Sequence, residues 1–175
     1  PAVKELRVAF VTFLLDIADL GRLGNLSETM RDWGVPVACI DHQVRPGTLP
    51  DGPRFVDATA AATGELIFML AQELRWPLTL PAARALYVAM VTDTGGFRFS
   101  NTRPRTLRTA AALLEAGVDT EQVYLDVYAG APAGRPRLLA DVLLPLVVED
   151  YIGTAWVTVP PGSPERHPVD PASLA

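Results

Sequence analysis

Three carboxylates and one imidazole sit in this chain where side chains can do chemistry. Asp16 directly follows the apolar run Leu6 to Leu15, and the pair Asp41-His42 directly follows the apolar run Val35 to Ile40. Each run is nearly continuous and rich in branched residues, the pattern of a strand buried on both faces of a parallel sheet. Ligands of open parallel sheets bind beyond the carboxyl ends of the strands, which is where these polar groups fall. Asp93 closes a helical stretch and opens into Thr94-Gly95-Gly96. Carboxylate oxygens and an imidazole nitrogen meeting at one sheet edge suit Mn2+ or Mg2+. Like-charged carboxylates repel one another without a cation, so a metal gives such a cluster a physical purpose. An aspartate after a strand is commonly only a turn former or helix cap, so the inference rests on the ordered set.

The elements that must position these groups follow from hydrophobic period and punctuation. Leu6 to Leu15 and Val35 to Ile40 are expected strands, with a short helix from Asn25 to Trp33 capped by Gly34 between them. Arg45 to Pro53 reads as a loop. Asp57 or Thr59 is expected to cap a helix running to about Trp76, with Leu66, Met69, Leu70 and Leu74 at helical spacing. Pro81 suits the first turn of the next helix, which carries Leu86, Met90 and Val91 inward and ends at the loop Thr92 to Gly96. Pro104 starts a helix reaching Ala116 and stopped by Gly117. Helical stretches are expected near Thr120 to Tyr128 and Arg135 to Val148, a strand over Gly153 to Val159, and a disordered tail from Pro160, with His167 solvated. Strands alternating with helices give the fold class: α/β, a mostly parallel sheet flanked by helices, followed by only the start of a second domain.

Composition narrows the partners. The 175 residues are 49% hydrophobic, enough for one domain with a real core. The net charge of −5 argues against gripping long duplex nucleic acid. A small phosphorylated substrate held by metals and a few arginines is compatible, and Lys4 is the only lysine beside many arginines. Cys39 is the only cysteine, so neither an intrachain disulfide nor a cysteine-rich zinc site can form. No stretch reaches the roughly 18 apolar residues of a membrane span, and Pro1 to Arg7 lacks a signal-peptide pattern, so a cytoplasmic address is expected. No Gly-x-Gly-x-x-Gly follows either strand, which disfavours a dinucleotide-dependent dehydrogenase.

Four segments, in order, resemble the DHH superfamily of phosphoesterases. Val37-Ala38-Cys39-Ile40-Asp41-His42-Gln43 resembles the family's signature strand and its Asp-His-His motif. Leu14 to Gly24, with Asp16 and Arg22-Leu23-Gly24, resembles the preceding motif, and Ala61 to Glu65 resembles the Ser-Thr-Gly-Glu helix start. Val91 to Thr102, followed by Pro104-Arg105-Thr106, resembles the loop of the oligoribonuclease and 3′-phosphoadenosine 5′-phosphate phosphatase branch. The resemblance covers roughly residues 6 to 130. It implies two Mn2+ or Mg2+ ions in the intact family site, with Asp16 bridging them and His42 and Asp93 as further ligands. Asp41 would orient His42, and Gln43 would stand in the catalytic place beside it. Arg98, Ser100 and Asn101 would face the substrate phosphate. The implied substrate is a short oligonucleotide or a nucleoside 3′,5′-bisphosphate, with no membrane partner and with a homodimer as a compatible assembly.

Three departures accompany the resemblance. The family opens with His-x-x-Pro-Asp-x-Asp on its first strand, and nothing before Asp16 matches it. Gln43 stands where the second histidine belongs, and glutamine can donate to phosphate but cannot shuttle a proton. The glycine-rich motif of the family's second domain has no counterpart. The expected organisation is therefore an incomplete DHH catalytic domain over residues 1–130, a linking helix over 131–150, and the start of a second domain with a tail over 151–175. Alternatives to a hydrolase are a non-catalytic nucleotide- or metal-binding remnant and, within the hydrolases, a cyclic-dinucleotide phosphodiesterase. The Phe97 to Thr102 loop disfavours an inorganic pyrophosphatase.

Overall fold

The computed structural model describes residues 10–17, 19–31, 36–43, 52–130 and 133–166. The chain divides into two compact units, Pro1–Thr120 and Glu121–Ala175. In the first unit, β1 (Thr12–Leu15), β2 (Val37–Asp41) and β3 (Arg54–Val56) form a parallel sheet in the order β1-β2-β3. Leu15 pairs with Ile40 and Asp41 with Val56, so β1 and β2 end side by side. β1 is shorter than the expected Leu6 to Leu15 strand, whose first residues lie outside the described ones. β3 was not anticipated: three residues are too few to show a period, and Pro53 masked the Arg-Phe-Val step as loop. The expected Arg45 to Pro53 loop lies largely outside the described residues.

Helix α1 (Leu26–Arg31) follows a 3₁₀ turn at Leu20–Leu23, capped by the Asp19 carboxylate, which accepts from the Gly21 N–H at 2.9 Å. The expected end of this helix at Trp33 and Gly34 lies outside the described residues. Leu14, Leu20, Met30, Val37 and Cys39 bury together on one side of the sheet, and Ile40, Ala60 and Leu66 on the other. Burial pushes the Cys39 thiol up from its ordinary value and suits a packed hydrophobe.

Helix α2 spans Thr63–Glu73, α3 Leu80–Asp93 and α4 Pro104–Glu115. α3 starts as expected, with Thr79 capping and Pro81 in its first turn. α4 starts at Pro104, ends at Glu115 and stops at Gly117, whose φ is +98°. The α2 start corrects an expectation. Asp57 caps only a turn, accepting from the Thr59 N–H at 2.8 Å, and the helix begins six residues later. Its cap, Ala62, has no capping side chain; instead the Glu65 carboxylate reaches back and accepts from the Ala61 N–H at 2.7 Å.

Helix α5 (Thr120–Tyr124) starts on the last residue of the first unit and runs into a π-helical turn at Leu125–Ala129 in the second, where α6 spans Gly134–Leu143. The expected helix to Val148 is corrected, because Pro145 cannot continue it. The β-branched Val147-Val148 step instead begins β4 (Val147–Glu149), which pairs antiparallel with β5 (Thr154–Trp156). β5 is the expected strand, shortened. A one-turn helix, α7 (Ser163–Arg166), occupies part of the expected tail, and His167 lies outside the described residues. No helix among the described residues is long and apolar enough to cross a membrane.

Candidate metal centre

Three element ends deliver the polar groups. β1 ends at Leu15, and Asp16 takes a left-handed φ of 61°, a conformation that aspartate tolerates better than most side chains. Its N–H still donates to Ile40 O at 3.0 Å, so the sheet ladder holds the turn in place. β2 ends at the buried Asp41, and His42 follows. α3 ends at Asp93.

The His42 imidazole is the hub. Its Nε2 lies 3.4 Å from Asp16 Oδ1 and 3.6 Å from Asp93 Oδ2. His42 is nearly buried, with its side chain 12% exposed, whereas those of Asp16 and Asp93 are 57% and 36% exposed. Asp16, Asp41 and His42 each bring a ligand atom within 4.8 Å of the others. Two donor atoms each about 2.1 Å from a shared ion stand about 3.0–3.5 Å apart; the His42–Asp16 separation falls within that range and the His42–Asp93 separation just beyond it. The donor set, hard oxygens with one imidazole, fits Mn2+ or Mg2+ chemistry.

Electrostatics point the same way. Burial holds the Asp93 carboxyl above its ordinary pKa; His42 pulls it down and Asp16 pushes it further up. Two carboxylates close to one imidazole, one of them partly desolvated, are the arrangement a cation relieves.

Neighbouring residues fix these groups. The Thr63 hydroxyl, in the first turn of α2, donates to Asp16 Oδ1 at 2.9 Å. Glu65 is fully buried; besides the Ala61 N–H it accepts from Arg105 Nε at 3.2 Å, and Arg105 Nη2 also reaches Asp57 Oδ2 at 3.2 Å. α2 can approach α3 because Gly64 has no side chain: a Cβ there would meet Ala89 Cβ and Leu86 O, each at 3.0 Å. Between the helices and β1 lies a cavity of about 520 Å³, whose lining includes Leu15, Ile67, Leu86, Asp16, Thr63 and Asp93.

The structure thus brings Asp16, Asp41, His42 and Asp93 together. The Asp41 Oδ1 accepts from the Gln43 backbone N–H at 2.8 Å, and Gln43 is half-buried next to the hub. Arg98, Ser100 and Asn101 lie on the loop after Asp93. Buried Thr94 shapes that loop, donating to Met90 O at 2.6 Å and accepting from the Phe97 N–H at 2.9 Å. Gly95 has a φ of +56°, and a Cβ on it would run into the Phe99 ring. Arg98 is exposed, with Nε donating to Gly95 O at 2.6 Å, and Ser100 is exposed. Asn101 is half-buried and donates its amide to Ala61 O and Asp93 O. Sequence reasoning missed what Thr63 and Arg105 do here, although both lie in segments it singled out. Their contacts span 40 or more residues of chain, which no local pattern reports.

No family model matches the chain. It is 37% identical over 126 residues to the bifunctional oligoribonuclease and PAP phosphatase NrnA of Thermus thermophilus, covering 67% of this chain and 37% of that protein. It is 29% identical over 119 residues to the protein of the same name from Bacillus subtilis, covering 66% and 37%. The chain therefore spans well under half the length of these relatives. Its fold matches the crystal structure of an exopolyphosphatase-related protein from Bacteroides fragilis with a TM-score of 0.90, at 24% identity, over 98% of this chain and 51% of that one. With the ordered motifs and the parallel sheet that carries them, the chain belongs to the DHH superfamily of phosphoesterases.

Proposed function

We propose that this chain carries the metal-holding part of a phosphoesterase that hydrolyses short oligonucleotides or nucleoside 3′,5′-bisphosphates, with Mn2+ or Mg2+ as cofactor. The observation that carries the reading is the convergence on His42 Nε2 of Asp16 at 3.4 Å and Asp93 at 3.6 Å, from the ends of β1, β2 and α3. The similarity to the two NrnA proteins, whose name specifies oligoribonuclease and PAP phosphatase, supports the substrate class.

Asp16, His42 and Asp93 would hold the ion, with the Asp41 carboxylate within 4.8 Å of the Asp16 and His42 ligand atoms. A bound divalent ion supplies a water of lowered pKa and charge stabilisation for phosphoryl oxygens. The chain's own residues do the rest. The Thr63 hydroxyl keeps Asp16 Oδ1 turned toward His42. Arg98 spends its Nε on Gly95 O, which leaves the ends of the guanidinium fork to pair with a phosphate. Exposed Ser100 offers a further donor on the same loop. Gln43 can hydrogen-bond a phosphate oxygen while leaving proton transfer to water.

The test is hydrolysis of a dinucleotide and of 3′-phosphoadenosine 5′-phosphate with Mn2+ present, against a cyclic dinucleotide as competitor substrate. Phosphate or mononucleotide release from the first two, abolished by chelation, supports the reading. Preference for the cyclic dinucleotide would replace it with that phosphodiesterase activity. Mn2+-dependent nucleotide binding without turnover would leave a non-catalytic binding module.

A further inference from the structure

We infer that Asn101 is a positioning residue that latches the end of α3 to the start of α2 and so sets the distance of Asp93 from His42 and Asp16. The inference rests on the metal-centre reading above. Its basis is where the Asn101 amide goes. Nδ2 donates to Asp93 O at 3.0 Å and to Ala61 O at 3.2 Å, two carbonyls far apart in the chain. Both of its N–H groups are used, and with two carbonyls as partners the nitrogen must be the atom that faces them.

Each carbonyl belongs to a segment that carries a site group. Asp93 is the last residue of α3 and itself a ligand candidate. The preceding α3 carbonyls are taken by the turn after the helix: Met90 O accepts from Thr94 N, Val91 O from Gly96 N and Thr92 O from Gly95 N. Asp93 O is the next in that series, and the Asn101 amide supplies its donor. Helix ends leave such carbonyls needing partners from outside the helix. On the other side, Ala61 is fully buried and lies two residues before Thr63, whose hydroxyl holds Asp16. Ala61 is thereby gripped twice, by Asn101 on its carbonyl and by Glu65 on its N–H. One carboxamide thus ties the support of Asp16 to the backbone of Asp93. His42 lies between those two carboxylates, at 3.4 and 3.6 Å.

A residue that supports metal ligands without touching the ion typically changes metal affinity 10–100-fold when removed. Asn101→Ala deletes the latch. Asn101→Asp keeps its shape but sets a carboxylate against two carbonyl oxygens. The experiment is Mn2+ binding by electron paramagnetic resonance on the chain and both variants, with KM for 3′-phosphoadenosine 5′-phosphate measured at saturating Mn2+. Positioning predicts Mn2+ binding weakened about 10–100-fold and a KM close to that of the parent chain once Mn2+ saturates. A raised KM with unchanged Mn2+ affinity would make Asn101 a substrate contact and overturn the inference, and so would no change in either. Should neither variant fold, the parent chain decides: the Asn101 side-chain amide should give a slowly exchanging proton signal, and rapid exchange with water would refute the latch. If the parent chain takes up no Mn2+, the functional reading falls and the metal-positioning role with it. If it binds Mn2+ but the variants bind equally well, only the inference falls.

Discussion

Removing the guanidinium of Arg105 should destabilise the start of α2, because it strands a buried carboxylate. Glu65 has a side chain only 1% exposed, and its partner Arg105 Nε lies at 3.2 Å. Two unit charges at that separation attract by about 5 kcal/mol at an effective dielectric of about 20. Arg105 is 34% exposed, so water screens the pair, and the gain must be discounted. Glu65 would still keep the Ala61 N–H at 2.7 Å. Breaking a fully buried pair costs about 3–5 kcal/mol, so we expect Arg105→Met to cost about 2–3 kcal/mol. For a unit of this size that is a fall in Tm of roughly 8–12 °C. Glu65→Gln in the Arg105→Met background removes the stranded charge, and the double variant should be more stable than the sum of the single losses by about 1 kcal/mol or more. The assay is thermal and urea unfolding followed by circular dichroism at neutral pH. An Arg105→Met chain within about 0.5 kcal/mol of the parent, the range of an ordinary surface change, would refute the reasoning.

Two further perturbations probe the packing and the charge of the site. Gly64 is the second residue of α2, so Gly64→Ala would gain less than the roughly 1 kcal/mol of a helix interior, and its Cβ would sit 3.0 Å from the Leu86 carbonyl and from Ala89 Cβ. We expect a net loss of about 1–2 kcal/mol, read from urea midpoints, and a stabilised variant would show that α2 and α3 are free to part. In chelator-treated protein, Asp93→Asn should raise stability near neutral pH, because burial holds the Asp93 carboxyl above its ordinary value. The ionised folded form carries the penalty, so the gain should fade as pH falls through the raised folded pKa and then through the ordinary carboxylate value near about 3.9. A gain that is constant with pH would refute the assignment.

Much of the candidate site's placement could be read from the sequence, because the relevant signals are local. Asp16 and Asp41-His42 each follow an apolar run, and Pro81, Pro104 and Gly117 mark helix boundaries that the fold obeys. The start of α2 was illegible since its cap position is an alanine, and the group that satisfies the turn, Glu65, sits inside the helix. Asp57 and Thr59 looked like caps, but they spend their polar atoms on each other and on Arg105. The three residues of β3 acquire meaning only beside β2, and β4 was hidden in a helical pattern whose interruption by Pro145 outweighed it. The part played by Asn101 could not be read at all, because Ala61 lies 40 residues away in the chain.

Direct Mn2+ binding probes the convergence on His42 most closely. Titration of the chain by calorimetry or electron paramagnetic resonance should show saturable uptake, with an accompanying rise in unfolding midpoint. Asp16→Asn, His42→Ala and Asp93→Asn should each weaken that uptake by at least as much as the roughly 10–100-fold typical of an outer partner, since each would remove a proposed ligand atom. Saturable Mn2+ binding that survives all three substitutions together would place the ion elsewhere, and an absence of any uptake by the parent chain would contradict the metal centre altogether.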